Sequence, residues 1–220
     1  VHLGILPGAG GTQRMPRIVG CESAIQMMTT GAMINAKKAL AAGLCDEIVP
    51  KASVSPSEDV IAAAIKFCED KLVGSPVDPA RVVANRTLEH PGEAFFAAAK
   101  EQVAKKAKGE VAPLQIVEAV RAACTADSFE AGLAEETRLF LELAKGEQAR
   151  ALQQVFGSER LISKIDGLPK DVKPKPVAKA AIVGAGTMGG GIAMCFAEAG
   201  IDVTIVDSSE EVLTRGIGIM

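Results

Sequence analysis

Three glycines, Gly184, Gly186 and Gly189, lie at the first, third and sixth positions of the run GAGTMG in this 220-residue chain. The first permits a tight turn, the second leaves no Cβ where a pyrophosphate would approach, and the third lets a helix pack closely on a strand. Because backbone amides at a helix N-terminus favour anions, we expect Thr187 and Met188 to face phosphates together with the glycines. The run therefore predicts dinucleotide binding.

The segments around this run are those that must position it. The residues KAAIV at 179–183 predict a buried parallel strand that leads directly into the glycines. A helix is predicted to continue to about Glu198, where Gly200 ends it in left-handed backbone. Residues 201–206, IDVTIV, predict a second strand. The order of strand, glycine run, helix and strand is the βαβ unit that opens a Rossmann domain.

Asp207 follows the second predicted strand, about 20 residues after the glycine run. Its carboxylate is placed to accept hydrogen bonds from the adenosine ribose hydroxyls and would repel a 2′-phosphate, so NAD is favoured over NADP. FAD is the main alternative, since flavoproteins use the same opening unit, and a structural glycine turn is another. Ser208 and Glu211 predict a capping box for the next helix. The phosphate-binding pattern GxxxxGK[ST] is not found in the sequence.

Charge and composition exclude several other classes of function. The formal net charge of −3 and the low aromatic content predict no nucleic-acid or anionic-membrane partner. No apolar run reaches the roughly 20 residues that span a bilayer, so a soluble intracellular protein without a transmembrane segment is expected. Five cysteines and two histidines show no metal-ligand spacing, and no metal site is predicted.

The rest of the chain predicts helices, from Ala-, Leu-, Glu- and Lys-rich segments with apolar residues three and four apart. Asn35 is the predicted N-cap of one helix, which Gly43 ends, and a short strand is predicted at 46–49. The apolar face of the helix at 128–145 is predicted to contain Leu133, Thr137, Phe140, Leu141 and Ala144. The predicted helices cover residues 12–19, 22–30, 36–42, 57–72, 92–108, 113–123, 128–145 and 147–156.

The run LGILPGAGGTQRMPR at residues 3–17 closely resembles the enoyl-CoA hydratase/isomerase, or crotonase, family. Residues 29–36 and 43–50 resemble the segment that follows it in that family, and residues 128–136 and 156–160 resemble the helical end of the hydratase half. With the glycine run downstream, the order of parts resembles multifunctional β-oxidation enzymes, which fuse the hydratase to L-3-hydroxyacyl-CoA dehydrogenase.

The resemblance implies an α/β fold class: the C-terminal part of a crotonase-like fold, a helical linker, and the first βαβ unit of a Rossmann domain. We expect the C-terminal part of the crotonase core at residues 1–52, the helical crotonase C-terminal and linker region at 53–165, a connector at 166–177 and the start of the NAD-binding Rossmann domain at 178–220. Closely spaced prolines predict the connector. The chain is thus expected to be a middle segment, truncated at both ends.

The same resemblance implies hydration of 2-enoyl-CoA by two glutamates and an oxyanion hole, and NAD-dependent oxidation of L-3-hydroxyacyl-CoA. The family places these catalytic groups before Val1 and after Met220, so we expect no catalytic residue in this chain and little activity from it alone. Gly8 matches a family position that lines the catalytic pocket with its backbone N–H. The alternatives are a helical scaffold with a vestigial nucleotide unit, or an FAD-dependent oxidoreductase fragment.

The resemblance also suggests partners and a compartment. The expected substrate is an acyl-CoA thioester, of unspecified chain length, and the hydratase half is open to an additional isomerase activity. A thiolase partner or a homo-oligomer is a further expectation. The family implies a cytoplasmic protein if the source is bacterial and a peroxisomal one if it is eukaryotic.

Overall fold

The computed structural model describes residues 1–49, 56–71, 73–74, 76, 78–162, 164–165, 167–169 and 171–219. The chain forms two compact units, Val1–Lys164 and Ile165–Met220. The predicted boundary at 52 and parts of the predicted connector lie outside the described residues.

The N-terminal unit is helical throughout its regular elements. Two short 3-10 turns, Pro79–Arg81 and Val83–Asn85, precede the last four helices. Helix bounds agree with the sequence prediction to within two residues, except that the last helix is six residues longer than expected, and the predicted residue 72 lies outside the described residues. The helices are α1 Gly11–Val19, α2 Cys21–Thr30, α3 Ala36–Ala41, α4 Pro56–Lys71, α5 Glu93–Ala107, α6 Ala112–Thr125, α7 Phe129–Lys145 and α8 Glu147–Ile162.

The extension of α8 passes through Gly157, where the sequence suggested an end. A glycine inside a helix costs only about 1 kcal/mol relative to alanine. The guanidinium of Arg160 lies over the ring of Phe156 at 4.0 Å, one helical turn away, and this contact supports the continued helix.

The segment after α3 corrects one prediction. Asn35 does cap α3, because its side chain accepts a hydrogen bond from the Lys38 amide, and Gly43 follows in left-handed backbone. Residues 46–49, however, form no strand. A strand needs a partner for its backbone groups, and no strand is present among the described residues of this unit. Asp46 instead forms an exposed ion pair with Arg81.

Helix α6 lies at the centre of the N-terminal unit. It packs against α1, α2, α5 and α7. Ile116, Val117, Ala119 and Val120 on this helix are buried almost completely. Full burial of an Ile or Val side chain contributes roughly 1.5–3 kcal/mol, so this helix is a principal source of the unit's stability.

The C-terminal unit contains β1 Lys179–Val183, α9 Thr187–Glu198, β2 Asp202–Val206 and α10 Glu210–Ile217. The two strands are parallel, with Lys179 opposite Asp202 and Val183 opposite Val206. Helix α9 ends at the predicted residue. This confirms the predicted βαβ unit.

Strand β1 is not buried on both faces, contrary to the prediction. Its residues alternate between exposed and partly buried, and Val183 is 88% exposed. The described sheet has two strands, and α9 packs against them. Apolar residues on the face that α9 does not cover therefore remain accessible to solvent.

Candidate functional site

The glycine run forms the loop between β1 and α9. Gly184 has a φ of 103°, a left-handed conformation that favours glycine, and its amide donates to the Val206 carbonyl at 2.7 Å. A Cβ added to Gly189 would overlap the carbonyl oxygen of Gly184. Both glycines are thus required by the fold of the loop, as the sequence predicted.

Gly186 differs from its neighbours because a Cβ added there would meet no described atom within 4 Å. It is exposed at the N-cap position of α9, and its φ of −71° is accessible to any residue. Neither packing nor backbone conformation therefore explains a glycine at this position. The open space beside its backbone fits the approach of a ligand phosphate.

The N-terminus of α9 adds an electrostatic reason for anion binding. Thr187 and Met188 occupy the first turn and are exposed, and that turn contains no acidic residue. The first amides of a helix have no partner within the helix and lie at the positive end of its dipole. Contact of Thr187 and Met188 with a phosphate stays a prediction.

Asp207 lies directly beyond β2 and connects this strand to the glycine loop. Its Oδ2 accepts a hydrogen bond from the buried Ala185 amide at 2.6 Å, and its Oδ1 accepts from the Ser208 amide at 2.6 Å. These bonds, the one from Ala185 first, hold the pKa of the Asp207 carboxyl below its ordinary value. The carboxylate is therefore ionised at neutral pH, beside the loop, with acceptor capacity left for further donors.

Ser208 has a different role from the one predicted. Its hydroxyl contacts Asp207 Oδ1 at 3.1 Å, and Ser209 is the residue that caps α10, accepting a hydrogen bond from the Val212 amide at 3.2 Å. The predicted capping box of Ser208 and Glu211 is therefore wrong, because the cap is Ser209 and the residue three positions later is Val212. The Asp207 carboxylate recruits Ser208, so the helix begins one position later.

Gly8 lies in the loop that precedes α1. Its carbonyl accepts a hydrogen bond from the Gly11 amide at 3.1 Å, while its own amide donates to no described residue. A Cβ on Gly8 would stand 3.3 Å from the ring of Phe140 on α7. The backbone at Gly8 is thus packed against an aromatic side chain, and its N–H remains available.

A buried carboxylate holds this same loop, and the sequence analysis missed it. Glu136 on α7 is only 2% exposed, and its Oε1 accepts a hydrogen bond from the Gly10 amide at 2.6 Å. Its Oε2 accepts from the Thr12 amide at 2.8 Å and from the Thr12 hydroxyl at 2.5 Å. Glu136 is therefore the side chain that caps the start of α1.

The fully buried Gln13 extends this network. Its Nε2 donates to Thr12 Oγ1 and to the Ala119 carbonyl, both at 3.0 Å. The network connects α1 with α6 and α7. Buried polar groups that are joined in this way fix one arrangement of the helices.

The buried side of α7 agrees only in part with the predicted one, of which Leu133, Phe140 and Ala144 are partly buried. Gly132, Glu136, Leu139 and Leu143 are buried, whereas Thr137 and Leu141 of the predicted face are exposed. The prediction grouped the apolar residues and so passed over the stripe that contains the glutamate. A charged residue in line with a glycine and two leucines at helical spacing was the signal that could have found Glu136.

Neither a metal centre nor a membrane span is found in the part of the chain that the structure describes. It contains no group of three or more His, Cys, Asp or Glu side chains that could hold a metal ion. No described helix is long and apolar enough to cross a bilayer.

Comparison with known families agrees with both regions. Residues 1–78 match the enoyl-CoA hydratase/isomerase family. Residues 179–219 match the NAD binding domain of 3-hydroxyacyl-CoA dehydrogenase. The second match favours NAD over the FAD alternative.

Relatives contain the two regions in the same chain. The peroxisomal bifunctional enzyme of Danio rerio is 38% identical over 98% of this chain and 29% of its own length. The peroxisomal bifunctional enzyme of Cavia porcellus is 37% identical over 97% of this chain and 29% of its own length. The fatty acid oxidation complex subunit alpha of Shewanella baltica (strain OS155 / ATCC BAA-1091) is 36% identical over 99% of this chain and 30% of its own length. The chain is thus similar to these proteins over nearly its whole length.

The chain spans about three tenths of the length of those proteins. Its hydratase/isomerase match lies within the N-terminal unit and continues past the predicted core boundary at residue 52. Its NAD binding domain match lies within the C-terminal unit and includes the glycine loop and Asp207. The finer domain boundaries stay predictions.

Proposed function

We propose that the C-terminal unit binds the adenosine diphosphate part of NAD. The observation that carries this proposal is the placement of Asp207. Its carboxylate lies at the carboxyl end of β2, bonded to the amide of Ala185 within the glycine loop. The loop whose amides are proposed to donate to the phosphates is thus bonded to the carboxylate that is proposed to accept from the ribose hydroxyls.

Each candidate site residue has a separate role in the proposed binding. Gly186 leaves room for the pyrophosphate, and the amides of Thr187, Met188 and Gly189 at the start of α9 donate to it. Asp207 accepts hydrogen bonds from the ribose hydroxyls through its remaining lone pairs. The depressed pKa of Asp207 keeps a negative charge there, which opposes a 2′-phosphate and so disfavours NADP.

We propose further that a protein containing these 220 residues acts on acyl-CoA thioesters, hydrating 2-enoyl-CoA and oxidising L-3-hydroxyacyl-CoA, and that the 220 residues alone have little activity. NAD supplies the acceptor for the hydride that leaves the carbon bearing the 3-hydroxyl. The family matches in residues 1–78 and 179–219 support this pairing of activities in one chain.

Gly8 is proposed to line the enoyl-CoA pocket through its backbone N–H. The amide of Gly8 makes no hydrogen bond to a described residue, and Phe140 packs against its Cα. An amide held in this way can donate to a water molecule or to a developing negative charge without reorganising first. Glu136 would support it, because the carboxylate orients the following residues Gly10 and Thr12.

We also propose binding partners and a cellular compartment. The bacterial relatives are named as a subunit of a complex, and we propose a thiolase partner or a homo-oligomer for this protein. Location in peroxisomes is proposed for a eukaryotic source and in the cytoplasm for a bacterial one, following the two groups of relatives.

Calorimetric titration of the 220-residue chain with NAD and with NADP tests the cofactor proposal. We expect Asp207→Asn to weaken NAD binding by about 10- to 100-fold, the effect of losing hydrogen bonds to a charged group. The affinity for NADP relative to NAD should rise in that variant, because the repulsion of the 2′-phosphate is removed.

Asp202→Asn is the matched control, since Asp202 is exposed at the other end of β2. It should leave both affinities unchanged. NAD binding by D207N equal to that of the unmodified chain would contradict the proposal. Self-association at rising concentration without any response to NAD would support the scaffold alternative, and preferential binding of FAD would support the flavin alternative.

A further inference from the structure

Two cysteines far apart in the sequence lie side by side in the N-terminal unit. The Sγ atoms of Cys21 and Cys124 are 3.5 Å apart, although the residues are 103 positions apart. Cys21 is the first residue of α2, and Cys124 lies in the last turn of α6. We propose that this pair is a redox site, at which a peroxide oxidises the two thiols to a disulfide that links α2 to α6.

The two sulfur atoms are in non-bonded contact. A bonded pair has its sulfur atoms about 2.05 Å apart, so the two Sγ atoms need to approach by only about 1.5 Å. Rotation of side chains and a small helix adjustment can supply that distance. The remaining cysteines, Cys45, Cys68 and Cys195, have no such neighbour among the described residues.

The surroundings make the two thiols unequal. The hydrogen bond between the two sulfur atoms lowers the pKa of the Cys21 thiol. Burial opposes this effect, and the nearby Arg17 guanidinium adds to it. The same hydrogen bond, together with burial, raises the pKa of Cys124. The N-terminal position of Cys21 in α2 also favours a thiolate. Cys21 is therefore the nucleophile, and Cys124 keeps the proton.

Arg17 is held beside the pair by backbone carbonyls. Its Nη1 donates to the Gln13 carbonyl at 2.7 Å, and its Nη2 donates to the carbonyl of Ala123, the neighbour of Cys124, at 3.2 Å. A cation fixed next to a thiolate is the arrangement that makes a cysteine reactive. Cys124 is partly exposed whereas Cys21 is buried, so the proposal places the approach of the peroxide on the Cys124 side.

The reaction balances in two steps. The Cys21 thiolate attacks one oxygen of hydrogen peroxide, the O–O bond breaks, and Cys21 becomes a sulfenic acid while the hydroxide released takes up a proton to form water. The sulfur of Cys124 then attacks the Cys21 sulfur, and the sulfenic hydroxyl leaves with the Cys124 proton as water. Two thiols are oxidised to one disulfide, and one peroxide is reduced to two waters.

Peptide mapping of the full chain tests the proposal. Dilute protein is treated with hydrogen peroxide, its remaining thiols are blocked by alkylation, and it is digested with trypsin without reduction. We expect a linked pair of the peptides 18–37 and 122–138, two hydrogen atoms lighter than the sum of the reduced peptides. Reduction before digestion should abolish this product.

Variants locate the reaction. The product should be lost in Cys21→Ser and in Cys124→Ser, and it should form normally in Cys68→Ser, the control on the exposed surface of α4. In C124S the sulfenic acid of Cys21 should persist and react with a dimedone probe, whereas C21S should show no probe at Cys124. Circular dichroism confirms that each variant is folded.

Two results would overturn the proposal. One is a peroxide-treated chain in which Cys21 and Cys124 are recovered as separate alkylated peptides. The other is a mixture in which Cys68 and Cys195 are linked to Cys21 as often as Cys124 is. Either result would show that the proximity of the two sulfur atoms does not direct oxidation.

Discussion

Glu136 accepts a hydrogen bond from the amide of Gly10 at 2.6 Å, although the two residues are 126 positions apart in the chain. This bond attaches the loop that precedes α1, which contains Gly8 and Gly10, to the middle of α7. Gly10 itself is in left-handed backbone, with a φ of 84°. A buried carboxylate on one helix therefore determines the conformation of a loop that contains the proposed pocket residue Gly8.

Removal of the Glu136 carboxylate should destabilise the N-terminal unit. Glu136→Gln keeps the shape of the side chain but replaces an acceptor oxygen with an NH₂ group that faces backbone donors. We expect the free energy of unfolding to fall by about 1–3 kcal/mol, the cost of leaving a buried hydrogen-bond donor without its acceptor. Urea denaturation followed by helical circular dichroism measures this change.

Glu135→Gln is the control for that variant. Glu135 is the neighbouring residue and forms a surface ion pair with Arg138. Such pairs contribute less than about 1 kcal/mol to the free energy of unfolding, so the urea concentration at the midpoint of unfolding should hardly change. Equal destabilisation by the two variants would show that Glu136 has no special structural role.

Gly132→Ala should destabilise the same region by a different mechanism. A Cβ at Gly132 would overlap the side-chain oxygen of Gln13 and lie 3.1 Å from its Cδ. Gln13 is fully buried and cannot swing into solvent. We expect a loss of about 1–3 kcal/mol in the free energy of unfolding, as for other overpacked cores.

Gly157→Ala is the comparison, because an added Cβ on Gly157 in α8 would meet no described atom within 4 Å. That helical glycine should be replaced with a gain of about 0.4–1 kcal/mol. A destabilisation by G157A as large as that by G132A would contradict the role of the Gln13 contact.

Substitution by alanine should have different effects at Gly186, the N-cap of α9, and at Gly189 in its first turn. In Gly189→Ala the Cβ overlaps the backbone of Gly184, so both folding of the C-terminal unit and NAD binding should be lost. In Gly186→Ala the fold should remain and only NAD binding should weaken, since the open space there is proposed for the pyrophosphate.

Gly191→Ala is the control on the same helix, where an added Cβ has no described neighbour within 4 Å. Neither folding nor binding should be lost in it. Circular dichroism and calorimetry on the three variants separate the effects. Retention of full NAD affinity by G186A would count against the proposed position of the phosphates.

The pH dependence of the C-terminal unit should follow Asp207. Because the folded pKa of Asp207 is depressed, its carboxylate contributes stability that is present above the ordinary aspartate pKa of about 3.9 and is lost as the pH falls through the lower folded value. Thermal melts from about pH 2 to pH 6 should show this loss.

Asp207→Asn should flatten that part of the pH profile, whereas Asp202→Asn should preserve it. NMR titration of the Asp207 carboxyl gives the pKa directly. A pKa at the ordinary value would show that the Ala185 and Ser208 amides do not hold the carboxylate as the structure indicates.

Local patterns in the sequence were sufficient for much of the fold. Apolar spacing and terminal signals located the helices of the N-terminal unit, and the glycine run with Asp207 located the βαβ unit. Asn35 as a cap and Gly200 as a helix end depend on nearby residues only. Features that are decided within one turn or one loop can be read from such patterns.

Errors occurred where two local signals competed or where distant residues decide the outcome. Ser208 has a residue type that favours an N-cap, but its hydroxyl contacts the Asp207 carboxylate, and Ser209 caps α10 instead. Residues 46–49 had strand-like composition, but a strand forms only with a partner. The α8 helix continued through Gly157 because one glycine is a weak break.

The sequence by itself determined the type of each domain, the nucleotide motif and the resemblance of the two ends to hydratase and dehydrogenase families. Only the tertiary structure decided that Glu136 holds the Gly10 loop, that Asp207 bonds to Ala185, and that Cys21 meets Cys124. The physical reason is the same in each case. These contacts join groups on different elements, and their existence depends on how helices and strands pack, which no local pattern specifies.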